Sequence, residues 1–175
     1  AHMVKMHEEG LIKRLIDVQS FDKVAAESVK NNEFHKEVSA SEYAAADEQG
    51  SATHYLDIVI LSALEVDVDF NVNVLVGSDG IIRGAIGGHP DTAADSALSI
   101  IVCPLLRGRI PCVVDKVTTL ITPGATVDVV VTEYGIAVNP RRPEVAERLR
   151  AAGLKIVDLN DLKERAEKII GQPAE

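Results

Sequence analysis

Tryptophan is absent from this 175-residue chain, and three tyrosines with three phenylalanines bring the aromatic share to only 3%. Because 46% of the residues are hydrophobic all the same, the core must be filled by valine, isoleucine, leucine and alanine, the usual filling of parallel sheets covered by helices. Cysteine is scarce too: Cys103 and Cys112 are the only two, each inside an apolar run. Two are too few for a disulfide scaffold and fit a reducing cytoplasm. With the five histidines they show no zinc-ligand spacing, so no metal site is expected. No apolar run reaches the roughly 18 residues that a bilayer crossing demands, and the start has no signal-peptide stretch, so no membrane association is expected. Positive charge is also short, 18 Lys and Arg against 27 Asp and Glu, for a net charge of −9. Nucleic acid would meet an unfavourable field and is not expected as a partner. The small clusters Arg107 with Arg109, and Arg141 with Arg142, suit a small anion better.

The length is about one domain's worth. Ala1, His2 and Met3 read as cloning residues. Residues 4–175 are then expected to form one domain that starts in mid-element, as a piece of a longer chain would. "FDKVAAESVKNN" has helical spacing behind a Ser20 cap, and "SEYAAADE" reads as a short helix. "YLDIVILSAL" reads as a strand buried on both faces. In "FNVNVLVGSDGIIRGAIGG", Val72, Val74 and Val76 alternate before a Ser78-Asp79-Gly80 turn, a hairpin signal. A helix opens at "PDTAADSA", and "LSIIVCPLL", "IPCVVDKV" and "VDVVVTEYG" read as further buried strands. "RPEVAERLRAAG" is an amphipathic helix with Pro143 near its start and Gly153 as its stop. "LKIVDL" reads as a short strand, and Asn160 or Asp161 as the cap of a last helix. Strands alternating with helices imply an open α/β sheet, mostly parallel with an antiparallel portion in the middle.

Several stretches could carry chemistry. Gly77, Gly80, Gly84, Gly87 and Gly88 crowd together, and Gly87-Gly88-His89-Pro90-Asp91 joins a strand to a helix start. That is either a ligand-approaching loop or a hairpin followed by a tight turn. Glu133 lies at the carboxyl end of a strand, where α/β sheets bind ligands. It could act as base, nucleophile or hydrogen-bond acceptor, or simply cap a helix or face solvent. Arg107 and Arg109 could hold a carboxylate bidentately or merely solubilise the surface. Glu8 and Glu9 precede Gly10 as adjacent carboxylates, a pattern also ordinary at a helix or turn start.

The motifs "GGHPD", "VDKVTTLITPG" and "VVTEYGIAVNPRR", together with "SASEYA" and "EVDVDFNVN", make the chain similar to the C-terminal half of the citrate lyase alpha subunit family, within the CoA-transferase superfamily. The resemblance runs from about Val4 to about Asp161. It implies a three-layer Rossmann-like α/β domain, one of two halves facing each other across an active site. The reaction it implies is exchange of citrate for acetate on an acyl carrier protein thioester, giving a citryl thioester that a separate lyase subunit cleaves.

The partners implied are citrate, the acetyl thioester of the carrier protein (the gamma subunit), the beta subunit that cleaves citryl, and the missing N-terminal half. No tightly bound cofactor is implied beyond the carrier's CoA-like prosthetic group, which is substrate. Related CoA transferases carry a covalent glutamate in a Glu-Asn-Gly motif; the matching stretch here is Glu8-Glu9-Gly10, so Glu8 falls at the nucleophile's position with Glu9 in place of asparagine. The resemblance marks Glu133 as lining the cleft, with Gly87, Gly88, His89, Asp91, Arg107 and Arg109 as substrate-binding candidates. An acetyl-CoA hydrolase or other acyl-CoA transferase is the alternative enzyme. A carrier-protein or CoA binding module, inactive without the other half, is the alternative of a different class.

Overall fold

The computed structural model describes residues 1–45 and 50–171. The chain divides into two compact units, Ala1–Tyr55 and Leu56–Glu175, each of which is built differently.

The first unit contains α1 (His2–Glu8), β1 (Leu15–Asp17), α2 (Lys23–Asn31), β2 (His35–Glu37), α3 (Ala40–Tyr43) and a closing 3-10 turn, Ala52–Tyr55. β1 and β2 pair in parallel across α2. The expected Ser20 cap is replaced by Asp22, whose carboxylate accepts the Ala25 N–H at 2.9 Å. Asp22 stands directly before the first helical residue, and Ser20 instead donates to Asp17 at 3.2 Å. The buried His35 ring holds the unit together, with Nδ1 against Ser28 Oγ at 2.9 Å and Nε2 against Asp17 Oδ2 at 3.1 Å. Of the helix expected over "SEYAAADE", the structure has α3, with a Ser39–Glu42 capping box; residues 46–48 lie outside the described residues.

The second unit runs β3 (Ile58–Ser62), β4 (Glu65–Asp67), β5 (Val72–Asn73), α4 (His89–Asp95), β6 (Leu98–Val102), β7 (Leu106–Arg107), β8 (Ile110–Pro111), β9 (Val113–Val114), a 3-10 turn at Gly124–Thr126, β10 (Val129–Thr132), β11 (Gly135–Val138), α5 (Pro143–Ala151) and α6 (Leu159–Ile170). Its main sheet has the order β11-β10-β6-β3. β3, β6 and β10 are mutually parallel, and β11 turns back antiparallel on β10. A smaller sheet, β5-β4-β9, supplies the antiparallel portion in the middle of the chain through β4 and β5. The core between these elements is aliphatic apart from Phe70, as the scarcity of aromatics requires: Val66, Val72, Ile101, Leu105, Val113, Val130 and Leu162 are all buried.

Three expectations change here. β3 is not buried on both faces: Val59 points inward, but Ile58 and Ile60, which alternation puts on the opposite face, are 53% and 70% exposed. "LKIVDL" contributes only a single bridge, Ile156 to Ile136, rather than a strand. The cap of α6 is Asp158, which accepts the Asn160 N–H at 2.7 Å, so the helix starts earlier than Asn160. The hairpin at Ser78-Asp79-Gly80 is present, closed by Gly77 and Ile81 and by a Val76–Ile82 bridge.

Backbone approaches backbone most closely at Gly124, where an added Cβ would collide with the Asp69 carbonyl and lie 2.9 Å from the Phe70 carbonyl carbon. Neither atom belongs to a flexible side chain that could swing away. Gly124→Ala is therefore expected to lower stability by about 2 kcal/mol, read as a lower urea midpoint with unchanged slope.

Candidate active site

The apolar run of β10 ends because the chain turns there. Thr132 Oγ1 accepts the Tyr134 N–H at 3.1 Å and donates to the Gly135 carbonyl at 3.2 Å, closing a tight turn into β11. Glycine follows because Val157 closes over it: a Cβ at Gly135 would meet Val157 Cγ2 at 2.7 Å. Glu133, exposed at the tip of this turn, accepts the Leu105 N–H at 2.9 Å. Its carboxylate thus couples the end of β10 to the segment leaving β6.

A second convergence lies where β3 ends. The Ser62 carbonyl accepts from His89 Nε2 at 2.9 Å, and the next carbonyl, Ala63, accepts from the Arg107 guanidinium. With Nε2 donating, Nδ1 of His89 must accept, and it takes the Thr122 hydroxyl at 2.7 Å. The ring is only 8% exposed, and burial holds its pKa below the ordinary 6.5, against the opposing effect of the Ser62 hydrogen bond. His89 is therefore a neutral strut between β3, α4 and the Thr122 segment, with both nitrogens occupied by protein. Gly88 precedes it as the cap of α4, Gly87 has φ +54°, and Asp91 sits half-buried in the helix's first turn.

Beside Arg107 opens a cleft of about 260 Å³, lined among others by Glu65, Gly77, Ser78, Arg83, Arg107 and Ile110. Its glycine-turn wall is built from below. Buried Glu65 accepts from Asn73 Nδ2 at 2.8 Å, from the Thr118 N–H at 2.8 Å and from the Thr118 hydroxyl at 2.9 Å. Asn73 in turn accepts the Leu75 and Val76 N–H groups at 2.9 and 3.1 Å, which aims the chain into the Gly77 turn. Arg83 pairs with Asp79 across that turn. Glu65, Asn73 and Arg83 were not picked out from the sequence, and Ser78 only as part of the hairpin turn; the available signal was a pair of charges, Glu65 and Asp67, on either side of Val66 in an apolar stretch.

The structure brings His89 and Arg107 together on consecutive carbonyls and joins Glu133 to the neighbouring β6 exit. Arg109 is exposed in the β7–β8 turn. Glu8 belongs to the other unit, at the end of α1, beside a Lys5–Glu9 pair at 3.8 Å. Cys103 and Cys112 are buried. Burial foremost, with Cys112 and Glu133 adding and Arg107 opposing, pushes the Cys103 thiol up to about 12, so it is not a nucleophile at neutral pH. Among the described residues no helix is long and apolar enough to cross a membrane.

Guanidinium groups and a glycine turn around a cleft at the carboxyl ends of parallel strands define an α/β protein suited to small anionic ligands. Comparison with known proteins narrows this class. The family model described as citrate lyase, alpha subunit (CitF), matches residues 1–175, and the chain belongs to that family. The citrate lyase alpha chain of Escherichia coli K12 is 60% identical over 99% of this chain, and that of Haemophilus influenzae 57% identical over all of it. This chain spans only 34% and 35% of those two relatives. A crystal structure assigned as the alpha subunit of citrate lyase from Streptococcus mutans, in complex with citrate, is 51% identical, with a TM-score of 0.94 over 99% of this chain and 34% of its own. A RipA structure, 17% identical with a TM-score of 0.59 over 97% of this chain and 42% of its own, shares the fold.

Two outcomes follow from the geometry. The native pKa of His89 is depressed, so below the ordinary value the unfolded chain takes up a proton that the native chain refuses, and stability falls with falling pH. The stability difference between wild type and His89→Gln should therefore shrink from pH 7 to about pH 5 in urea titrations; a constant difference would contradict a buried neutral ring. Glu133→Gln keeps an acceptor for Leu105 and should cost little, whereas Glu133→Ala leaves that N–H unpaired and should cost about 1 kcal/mol by thermal unfolding.

Proposed function

We propose that this chain is the C-terminal portion of a citrate lyase alpha subunit and carries one side of its acyl-transfer site, exchanging citrate for acetate on the thioester of an acyl carrier protein. The observation that carries this reading is the citrate-bound relative, which matches nearly the whole of this chain at a TM-score of 0.94. In the exchange, a citrate carboxylate oxygen attacks the acetyl thioester carbonyl. The C–S bond breaks to leave thiolate and a mixed citric–acetic anhydride. Thiolate then attacks the citryl carbonyl, the anhydride C–O bond breaks, and acetate departs with the citryl thioester formed. Carboxylate is a weak nucleophile and thiolate a good leaving group, so the protein must mainly position the reactants and stabilise oxyanions.

Arg107 and Arg83 suit the carboxylates of citrate, with Arg109 and Asp91 as further contacts. Gly87 and Gly88 let backbone approach the acyl group, while His89 and Glu133 hold the strand exits in place. Glu8 assists the exchange, as the likeness of Glu8-Glu9-Gly10 to the Glu-Asn-Gly motif implies. The carrier protein's prosthetic group, the gamma and beta subunits and the cytoplasm belong to the same reading. The burial of both cysteines supports it, since a reactive thiol in this site would divert the thioester.

The test uses the full-length subunit with citrate and an acetyl thioester of the carrier protein, following the citryl thioester by mass spectrometry. Arg107→Ala should raise KM for citrate by at least about tenfold, equivalent to about 1.4 kcal/mol of binding. Acetate and free thiol appearing without any citryl thioester would sink the exchange reading in favour of a hydrolase.

A further inference from the structure

The charges that line the cleft beside Arg107 cancel, which sits badly with a substrate as anionic as citrate. Two guanidinium groups, Arg83 and Arg107, stand against two carboxylates, Glu65 and Asp79. Glu65 is buried, and three hydrogen bonds from Asn73 and Thr118 disperse its charge into the fold. Arg107 donates to a neutral acceptor, the Ala63 carbonyl, which leaves its charge for a ligand. Asp79 is spent otherwise. Its Oδ1 accepts the Ile81 N–H at 3.1 Å, which fixes the turn, while Oδ2 takes Nη2 of Arg83. The Ile81 N–H foremost, and then the Arg83 guanidinium, hold the Asp79 carboxyl below the usual carboxylate value, so it is ionised at neutral pH. The pair closes down over Gly77, where an added Cβ would stand 2.7 Å from Arg83 Nε and 2.8 Å from Asp79 Oδ1.

Nη2 belongs to both edges by which a guanidinium grips a carboxylate bidentately, so Asp79 and a ligand carboxylate need the same group. A carboxylate that only oriented Arg83 would be packed behind it. Asp79 instead lines the cleft, with its side chain 44% exposed and that of Arg83 49%. An ion pair so open to water is weak and can be exchanged for a better-placed partner. We propose that Asp79 is an internal competitor of the substrate: it holds Arg83 until a citrate carboxylate displaces it, while a second citrate carboxylate on Arg107 supplies the effective concentration that favours displacement. The inference rests on the exchange reading above and deepens it by naming a residue that sets substrate affinity. Opening the pair draws on ground-state binding, so citrate is held less tightly than two free arginines would hold it.

Titration calorimetry of citrate into the full-length subunit, with no thioester present, tests this by sign. Asp79→Asn keeps an oxygen for the Ile81 N–H, so the turn stands, but gives up the charge, and it should tighten citrate about fivefold. Arg83→Ala should weaken citrate, and Asp79→Asn added to it should change the affinity by less than about twofold, because the competitor has lost what it competes for. Citrate bound equally or more weakly by Asp79→Asn would overturn the proposal, the weaker case making Asp79 an orienting group for Arg83. Full tightening in the Arg83→Ala background would overturn it too, by assigning the effect to the general field of the cleft, as would Arg83→Ala with unchanged affinity. The exchange reading fails separately: citrate bound with the expected signs, but no citryl thioester in the exchange assay, would uphold the competitor and sink the reaction.

Discussion

Two carboxylates buried side by side in β4 govern where the rest of the second unit can go. Removing a charge from water costs several kcal/mol unless donors replace the water, and Glu65 and Asp67 are surrounded by them. Asp67 accepts the Asp69 and Asn71 N–H groups at 3.0 and 2.9 Å, the Asn71 amide at 3.1 Å and the Val117 N–H at 3.3 Å. Those bonds curl the chain tightly enough that Phe70, a bulky buried residue, takes φ +67°. Such a conformation persists only where its surroundings over-determine it. Asn71 then passes the constraint on by accepting the Gly124 N–H at 2.9 Å, while Glu65 fixes Asn73 and Thr118. The glycine turn beside the cleft and the approach to Thr122 both hang from a three-residue strand.

What could be read in the sequence was what local pattern encodes. The apolar runs of β6 and β10, the Ser78-Asp79-Gly80 hairpin, and α5 between Pro143 and Gly153 each depend on residues within one element. The family was legible because "GGHPD", "VDKVTTLITPG" and "VVTEYGIAVNPRR" occur together. What escaped is non-local. His89 acts through Ser62 and Thr122, which lie 27 and 33 residues away in the chain, so no window of sequence distinguishes a strut from a ligand contact. The exposure of Ile58 and Ile60 depends on which elements pack over the sheet, and no local run of isoleucine can reveal that. The roles of Glu65 and Asn73 emerge only when Thr118 folds back over them.

Glu133 shows how the two levels join. Locally it is a polar residue in a two-residue turn, as any strand end might have. In the fold its carboxylate lies against Leu105 and raises the thiol pKa values of Cys103 and Cys112, while Arg107 opposes it. One anion thereby fixes a strand exit and helps to keep two buried thiols protonated. The thioester exchange proposed above gains from both effects, because geometry must be held while competing nucleophiles stay silent.

The same logic links the cleft to the open edge of the sheet. Ser62 and Ala63, whose carbonyls receive His89 and Arg107, are the last residue of β3 and the one that follows it. The strand that positions the cleft is thus an end strand of the main sheet, hydrogen-bonded to β6 alone, and strands with few contacts open at the lowest free energy. Any fluctuation at the end of β3 therefore moves Arg107 and, through His89, the Gly87–Gly88 turn together, since both are tied to its exit, and the geometry of the cleft is only as steady as that strand end.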